Sequence, residues 1–178
     1  GGAGNDNLTA GAGNDSVDGG DGNDTLSDGA GDDTVTGGAG VDTITIATGN
    51  DNVSGGDGND AITITGLSSA DTIDGGAGTD SLTITNSSTS TLTPQFTSIE
   101  SVTVNTSTAF ALDLTNATDK TSLKTYNVYG TSGAGATDDV TLTNLASGST
   151  VTISDDYTWA GTAGNPGTGD LDDVSIDT

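Results

Sequence analysis

The chain has 178 residues and a formal charge of −24, from 26 acids against two bases; only 30% of residues are hydrophobic and 3% aromatic. A core of ordinary size is out of reach and self-repulsion on that scale favours disorder, so folding requires something cationic. The absence of His, Cys and Met excludes zinc sites, thiol nucleophiles, His-based triads and disulfides, the lack of a basic patch excludes nucleic acid as a partner, and no apolar run is long enough for membrane insertion.

From its first residue the sequence repeats with a period of nine. GGAGNDNLT, AGAGNDSVD, GGDGNDTLS, DGAGDDTVT, GGAGVDTIT, IATGNDNVS and GGDGNDAIT cover residues 1 to 63. GLSSADTID (66 to 74) follows a two-residue insertion, Ile64 and Thr65, and GGAGTDSLT (75 to 83) restores the pattern. The sixth position is always an acid: Asp6, Asp15, Asp24, Asp33, Asp42, Asp51, Asp60, Asp71 and Asp80. The eighth is always aliphatic: Leu8, Val17, Leu26, Val35, Ile44, Val53, Ile62, Ile73 and Leu82. The chain opens in phase with this repeat and without a cleavable leader, as expected of a piece cut from a longer protein.

Each nonad divides into a glycine-rich turn of six residues and a polar–aliphatic–polar strand of three, with one side chain pointing inward. Two nonads then make one coil of a flattened solenoid, and residues 18 apart stack. Asp6, Asp24, Asp42, Asp60 and Asp80 are expected along one edge, and Asp15, Asp33, Asp51 and Asp71 along the other. Carboxylates about 5 Å apart repel one another, and a divalent cation between them reverses the sign. Calcium suits this best, since it takes about six to eight oxygens, carbonyls included, in flexible geometry. Magnesium demands stricter geometry, and softer metals want ligands that the chain lacks.

The nonads resemble the G-G-x-G-x-D-x-U-x repeat of the RTX (repeats-in-toxin) proteins over residues 1 to 83. The resemblance implies a parallel β-roll with calcium held between adjacent turns, its ligands the sixth-position aspartates and carbonyls from the first four positions. Carried over residue by residue, it implies Gly19, Gly20, Asp21 and Gly22 with Asp24; Gly37, Gly38, Ala39 and Gly40 with Asp42; and Gly55, Gly56, Asp57 and Gly58 with Asp60. It also implies Gly2 and Gly4 with Asp6, Gly11 and Gly13 with Asp15, Gly29 and Gly31 with Asp33, and Gly75, Gly76 and Gly78 with Asp80. The loops IATGND and GLSSAD depart from the pattern, so occupancy is expected to be weakest near Asp51 and Asp71, where the inserted residues distort the coil. Nine loops on two edges leave seven inter-turn slots, of which four to seven are expected to hold Ca²⁺. Residues 1 to 90 hold 15 acids and no bases, so seven divalent ions nearly neutralise them, and folding and metal binding become one event.

After residue 83 the chain turns Thr-rich. SLTIT (81 to 85), IESVTVN (99 to 105), FALDL (110 to 114), TYNVYG (125 to 130), DVTLTNL (139 to 145), TVTIS (150 to 154) and DVSID (173 to 177) alternate with period two and read as strands. Residues 84 to 178 are expected to continue the solenoid with wider coils, or to form a small β-sandwich over its end. The whole is therefore all-β, a β-roll at 1 to 83 followed by a β-structured second part. The pairs Asp138–Asp139 and Asp155–Asp156, and GTGDLDD at 167 to 173, are solvated turn acids or further calcium sites, with Asp170, Asp172 and Asp173 the best placed. Tyr126, Tyr129, Tyr157 and Trp159 read as packing residues, or as a contact for a cell-surface glycan. Glu100, the one glutamate, reads as a solvent-facing strand residue, with a calcium ligand as the lesser alternative.

No enzymatic constellation emerges from acids held in repeated turns. The Thr/Ser/Ala/Gly richness and FTSIESVTVNTS (96 to 107) resemble RTX-containing bacterial S-layer proteins, which implies a secreted, cell-surface module with identical subunits joined in a lattice. The alternative is the folding and secretion domain of a type I-secreted toxin, protease or adhesin.

Overall fold

The computed structural model describes residues 1–86, 91–106, 110–113, 125–130, 140–143, 150–155 and 174–177. Every described strand pairs in parallel, in three sheets. The first sheet runs β1 (Gly2–Ala3), β3 (Ser16–Asp21), β5 (Thr34–Ala39), β7 (Asn52–Asp57), β9 (Thr72–Ala77) and β12 (Gln95–Thr97). The second runs β2 (Asn7–Thr9), β4 (Thr25–Ser27), β6 (Thr43–Thr48), β8 (Ala61–Gly66), β10 (Ser81–Asn86), β13 (Ser101–Thr106), β15 (Thr125–Gly130) and β17 (Thr150–Asp155). The third contains β11 (Thr91–Leu92), β14 (Phe110–Asp113), β16 (Val140–Thr143) and β18 (Val174–Asp177). The chain alternates between the first two sheets up to β10 and between the second and third from β13, so the second sheet is a spine common to both parts.

The strands are longer than the nonad pattern predicts. In β3, β5, β7 and β9 they last six residues and take in the first three positions of the next nonad, as in SVDGGD. Glycine is compatible with an extended chain, and the paired carbonyls and amides of stacked coils hold it there. Only about three residues, such as Gly22, Asn23 and Asp24, are left to turn each first-edge corner.

The eighth-position aliphatics fall into two in-register ladders. Val17, Val35, Val53, Ile73 and Phe96 line one sheet, and Leu8, Leu26, Ile44, Ile62, Leu82 and Val102 the other. All but Leu8 are buried. A further ladder, Ile46, Ile64, Ile84 and Val104, widens the core from β6 onward. The inserted Ile64 and Thr65 therefore do not distort the coil: Ile64 extends β8, and the surplus is absorbed by the loop at Leu67, whose side chain is buried. Register is intact beyond it, with Asn52 opposite Thr72.

The second half continues the solenoid. β13, β15 and β17 extend the spine in register, with Ser101, Thr125 and Thr150 aligned, so the coils widen to 24 and 25 residues. Each of the seven alternating segments contains a strand, and β11 and β12 are additional.

The fifth position of the nonad adds a polar ladder that the repeat pattern alone does not announce. The Asn23 N–H donates to Asn5 Oδ1 at 3.0 Å, Val41 N–H to Asn23 Oδ1 at 2.9 Å and Thr79 N–H to Asn59 Oδ1 at 2.9 Å. Val41 breaks this row because it offers no acceptor to Asn59, and its side chain is 51% exposed. Val41→Asn is expected to stabilise the fold by about 1 kcal/mol, one net hydrogen bond, measured by urea denaturation in calcium.

Candidate metal centre

Each corner brings one aspartate back over the coil before it. On the first edge the Asp6 N–H donates to Asp24 Oδ1 at 2.7 Å, Asp24 N–H to Asp42 Oδ1 at 2.8 Å, Asp42 N–H to Asp60 Oδ1 at 2.9 Å and Asp60 N–H to Asp80 Oδ1 at 2.8 Å. On the second, Asp15 N–H donates to Asp33 Oδ1 at 2.7 Å, Asp33 N–H to Asp51 Oδ1 at 2.9 Å and Asp51 N–H to Asp71 Oδ1 at 2.9 Å. The two rows are those expected from the 18-residue stacking, and the insertion merely lengthens their last steps to 20 residues.

One oxygen of each stacked carboxylate is thereby used. The other, Oδ2, is buried without any donor at Asp24, Asp33, Asp42, Asp60 and Asp80, as it is at Asp6, which lends the row only its N–H. A buried, unsatisfied carboxylate oxygen is expensive, and a repeating row of them requires a common partner. The surroundings are built to admit one. A Cβ on Gly19 would strike both Asp24 Oδ2 and the Gly37 carbonyl; Gly37 stands in the same relation to Asp42 and Gly55, Gly55 to Asp60 and Gly75, and Gly75 to Asp80 and the Ser98 carbonyl. The donors are therefore hard oxygens from an acid and from carbonyls, with room kept open by a missing side chain. That set fits calcium. Bound there, calcium supplies the positive charge that the stacked carboxylates lack.

Gly37→Ala is expected to cost about 3 kcal/mol, because its Cβ meets backbone as well as the carboxylate. Gly11→Ala meets nothing and leaves the Gly11 carbonyl free to accept from Ala30, so it is expected to raise stability by up to about 1 kcal/mol through the unfolded chain. Thermal melts in calcium compare the two.

The remaining residues implied by the resemblance divide. Gly2, Gly20, Gly38, Gly56 and Gly76 at position two, with Gly4, Gly22, Gly40, Gly58 and Gly78 at position four, hold positive φ on the first edge, as Gly13, Gly29 and Gly31 do on the second. Asp21, Ala39 and Asp57 end their strands with exposed side chains, and their carbonyls accept from Gly4, Gly22 and Gly40. Asp71 has both oxygens engaged by Ser68, through its N–H at 2.7 Å and its hydroxyl at 3.0 Å. Asp138, Asp139, Asp156, Tyr157, Trp159, Asp170, Asp172 and Asp173 lie outside the described residues.

Two further acids stand with the rows. Glu100 is not a solvent-facing strand residue. It precedes β13, is half-buried, and its Oε2 accepts from Asp80 N–H at 2.6 Å. It thus continues the first row by one coil, and its 20-residue spacing from Asp80, equal to that of Asp80 from Asp60, was the available signal. Asp28, at a first position where glycine usually stands, is fully buried beside Asp33 and Asp51, and one oxygen of each falls within 4.8 Å of the others.

Burial raises the pKa of Asp28, Asp42, Asp60 and Asp80 above the ordinary carboxylate value, with neighbouring acids adding to the shift. Asp51 is pushed up to about 6, first by burial and then by Asp28, Asp71 and Asp33. Burial and crowding thus disfavour the charged form of these acids when no cation is beside them.

No curated protein and no solved structure gave a significant match to the chain. Residues 1–26, 18–45 and 47–82 do match a family model, that of the RTX calcium-binding nonapeptide repeat, and together with the stacked corners this makes the first part of the chain a calcium-binding β-roll of the RTX type.

Proposed function

We propose that the chain is a structural, non-enzymatic module of a secreted bacterial surface protein, and that extracellular calcium drives both its folding and its assembly. The observation that carries the reading is the row of donorless, buried aspartate oxygens facing the glycine corners. A chain whose acids cannot stack without cations remains unfolded where calcium is scarce and folds where it is abundant, and extracellular modules with dissociation constants of about 10⁻⁴–10⁻³ M fit that behaviour.

Within this class we favour an S-layer role, in which calcium stiffens each subunit and neighbouring copies form a sheet. The parallel spine that runs from the roll into the Thr-rich part supports it, since one sheet is then common to both. A calcium titration followed by circular dichroism tests the folding, with light scattering and electron microscopy to follow assembly. Calcium-dependent sheets are the expected result. A folded, calcium-saturated monomer at every concentration removes the S-layer role and leaves the secretion-and-folding domain of a type I-secreted toxin, protease or adhesin.

A further inference from the structure

We propose that Asp28, Asp33 and Asp51 form a three-carboxylate cation site on the second edge, the slot of the roll that discriminates most strongly in favour of highly charged cations. The inference rests on the reading that the corners bind calcium, and it adds a side-chain ligand that the nonad pattern does not contain.

The fold places Asp28 in an apolar line. Its N–H donates to Thr45 at 3.3 Å, one residue before Ile46, just as the Ala10 N–H donates to Ser27, so Ala10, Asp28, Ile46, Ile64 and Ile84 follow one another along the second sheet. An acid in that line is 0% exposed. One of its oxygens accepts from the Ala47 N–H at 3.0 Å. The other has no partner, and neither has Asp33 Oδ2. The second edge therefore holds two fully buried orphan oxygens with Asp51 at their side, whereas among the described residues no group of three carboxylates comes as close together on the first edge.

The surplus carboxylate decides the selectivity. Its attraction for a cation scales with ionic charge, so a trivalent ion gains about one and a half times what a divalent ion gains. Terbium, an oxygen-seeking ion with flexible coordination like that of calcium, is the probe. The alternative role for Asp28 is a neutral acid anchoring the Ala47 amide, which a cation titration would not detect.

The test loads the full chain with terbium, dialyses it against excess calcium and measures retained metal by elemental analysis. Wild type is expected to keep about one terbium per chain. Asp28→Asn preserves shape and the acceptor for Ala47, and Asp28→Gly restores the usual first-position residue; both are expected to fold in calcium and to keep no terbium. By calorimetry each is expected to lose about tenfold in calcium affinity and about thirtyfold in terbium affinity at a single slot. Terbium retained equally by wild type and both variants overturns the proposal, as does its retention by none, while calcium-triggered folding in the same samples leaves the β-roll reading intact. A wild-type chain that binds neither ion overturns both.

Discussion

Chelating calcium at about pH 7.5 is expected to abolish the β signal of the roll, and adding NaCl is expected not to restore it. Salt screens exposed charges, but Asp24, Asp42, Asp60 and Asp80 are buried beneath the corners and need a partner within bonding distance. Protons are the one substitute. Burial and neighbouring acids raise Asp51 from 3.8 to about 6, and shift Asp42, Asp60 and Asp80 in the same direction. A folded-state pKa above the unfolded one stabilises the fold in acid, an effect fully present below about pH 4 and lost as pH rises through about 6. The ion-free chain is therefore expected to be β-structured near pH 4 and unfolded at neutrality. In calcium the dependence reverses, because protons compete for the same oxygens and affinity falls as pH drops through about 6. Circular dichroism across pH, with and without chelator, reads both limbs; an unchanged spectrum in chelator at neutral pH contradicts the account.

Replacing Asp24 by Ala is expected to shift the calcium midpoint of folding upward by about tenfold or more. Asp24 is 2% exposed; one of its oxygens holds the Asp6 amide and the other has no protein partner. The substitution therefore empties two roles at once and strands the amide as well. Asp24→Asn separates them, since an amide oxygen still accepts from Asp6 while the charge is gone. Asp57→Asn is the control. Its side chain is exposed at the end of β7 and its carbonyl, which serves Gly40, is untouched, so stability should move by no more than about 0.5 kcal/mol. Equal effects of Asp24→Ala and Asp57→Asn would mean that the sixth position is not the one that faces inward.

The two acidic rows and the eighth-position ladders were legible because glycine, aspartate and an aliphatic recur at fixed offsets, and a coil of two nonads leaves no freedom about which residues align. The strand lengths were not. Glycine in GGD and GGA signals turning, yet pairing between stacked coils overrides that preference and draws it into β3, β5, β7 and β9. Asp28 was hidden for a related reason: it stands where the pattern expects glycine, and only the neighbouring coil shows that a first-position side chain turns inward toward Asp33 and Asp51. Glu100 lacked the glycine corner that marks every other member of its row, and a loop through Ser98, at φ 51, takes that corner's place. The fifth-position asparagines gave no signal because their oxygen serves an amide in the next coil, a partner that no local pattern reveals.

The alternation of successive nonads between opposite walls has a consequence for length. Removing 18 residues, such as 19 to 36, deletes one full circuit and leaves every downstream residue on its own wall. Removing nine carries Ile46, Ile64 and Ile84 across to the wall of Val53 and Ile73, exchanging a broad apolar face for a narrow one. Such a molecule can shrink or grow only by whole circuits, and viable size variants of it should differ by even numbers of repeats.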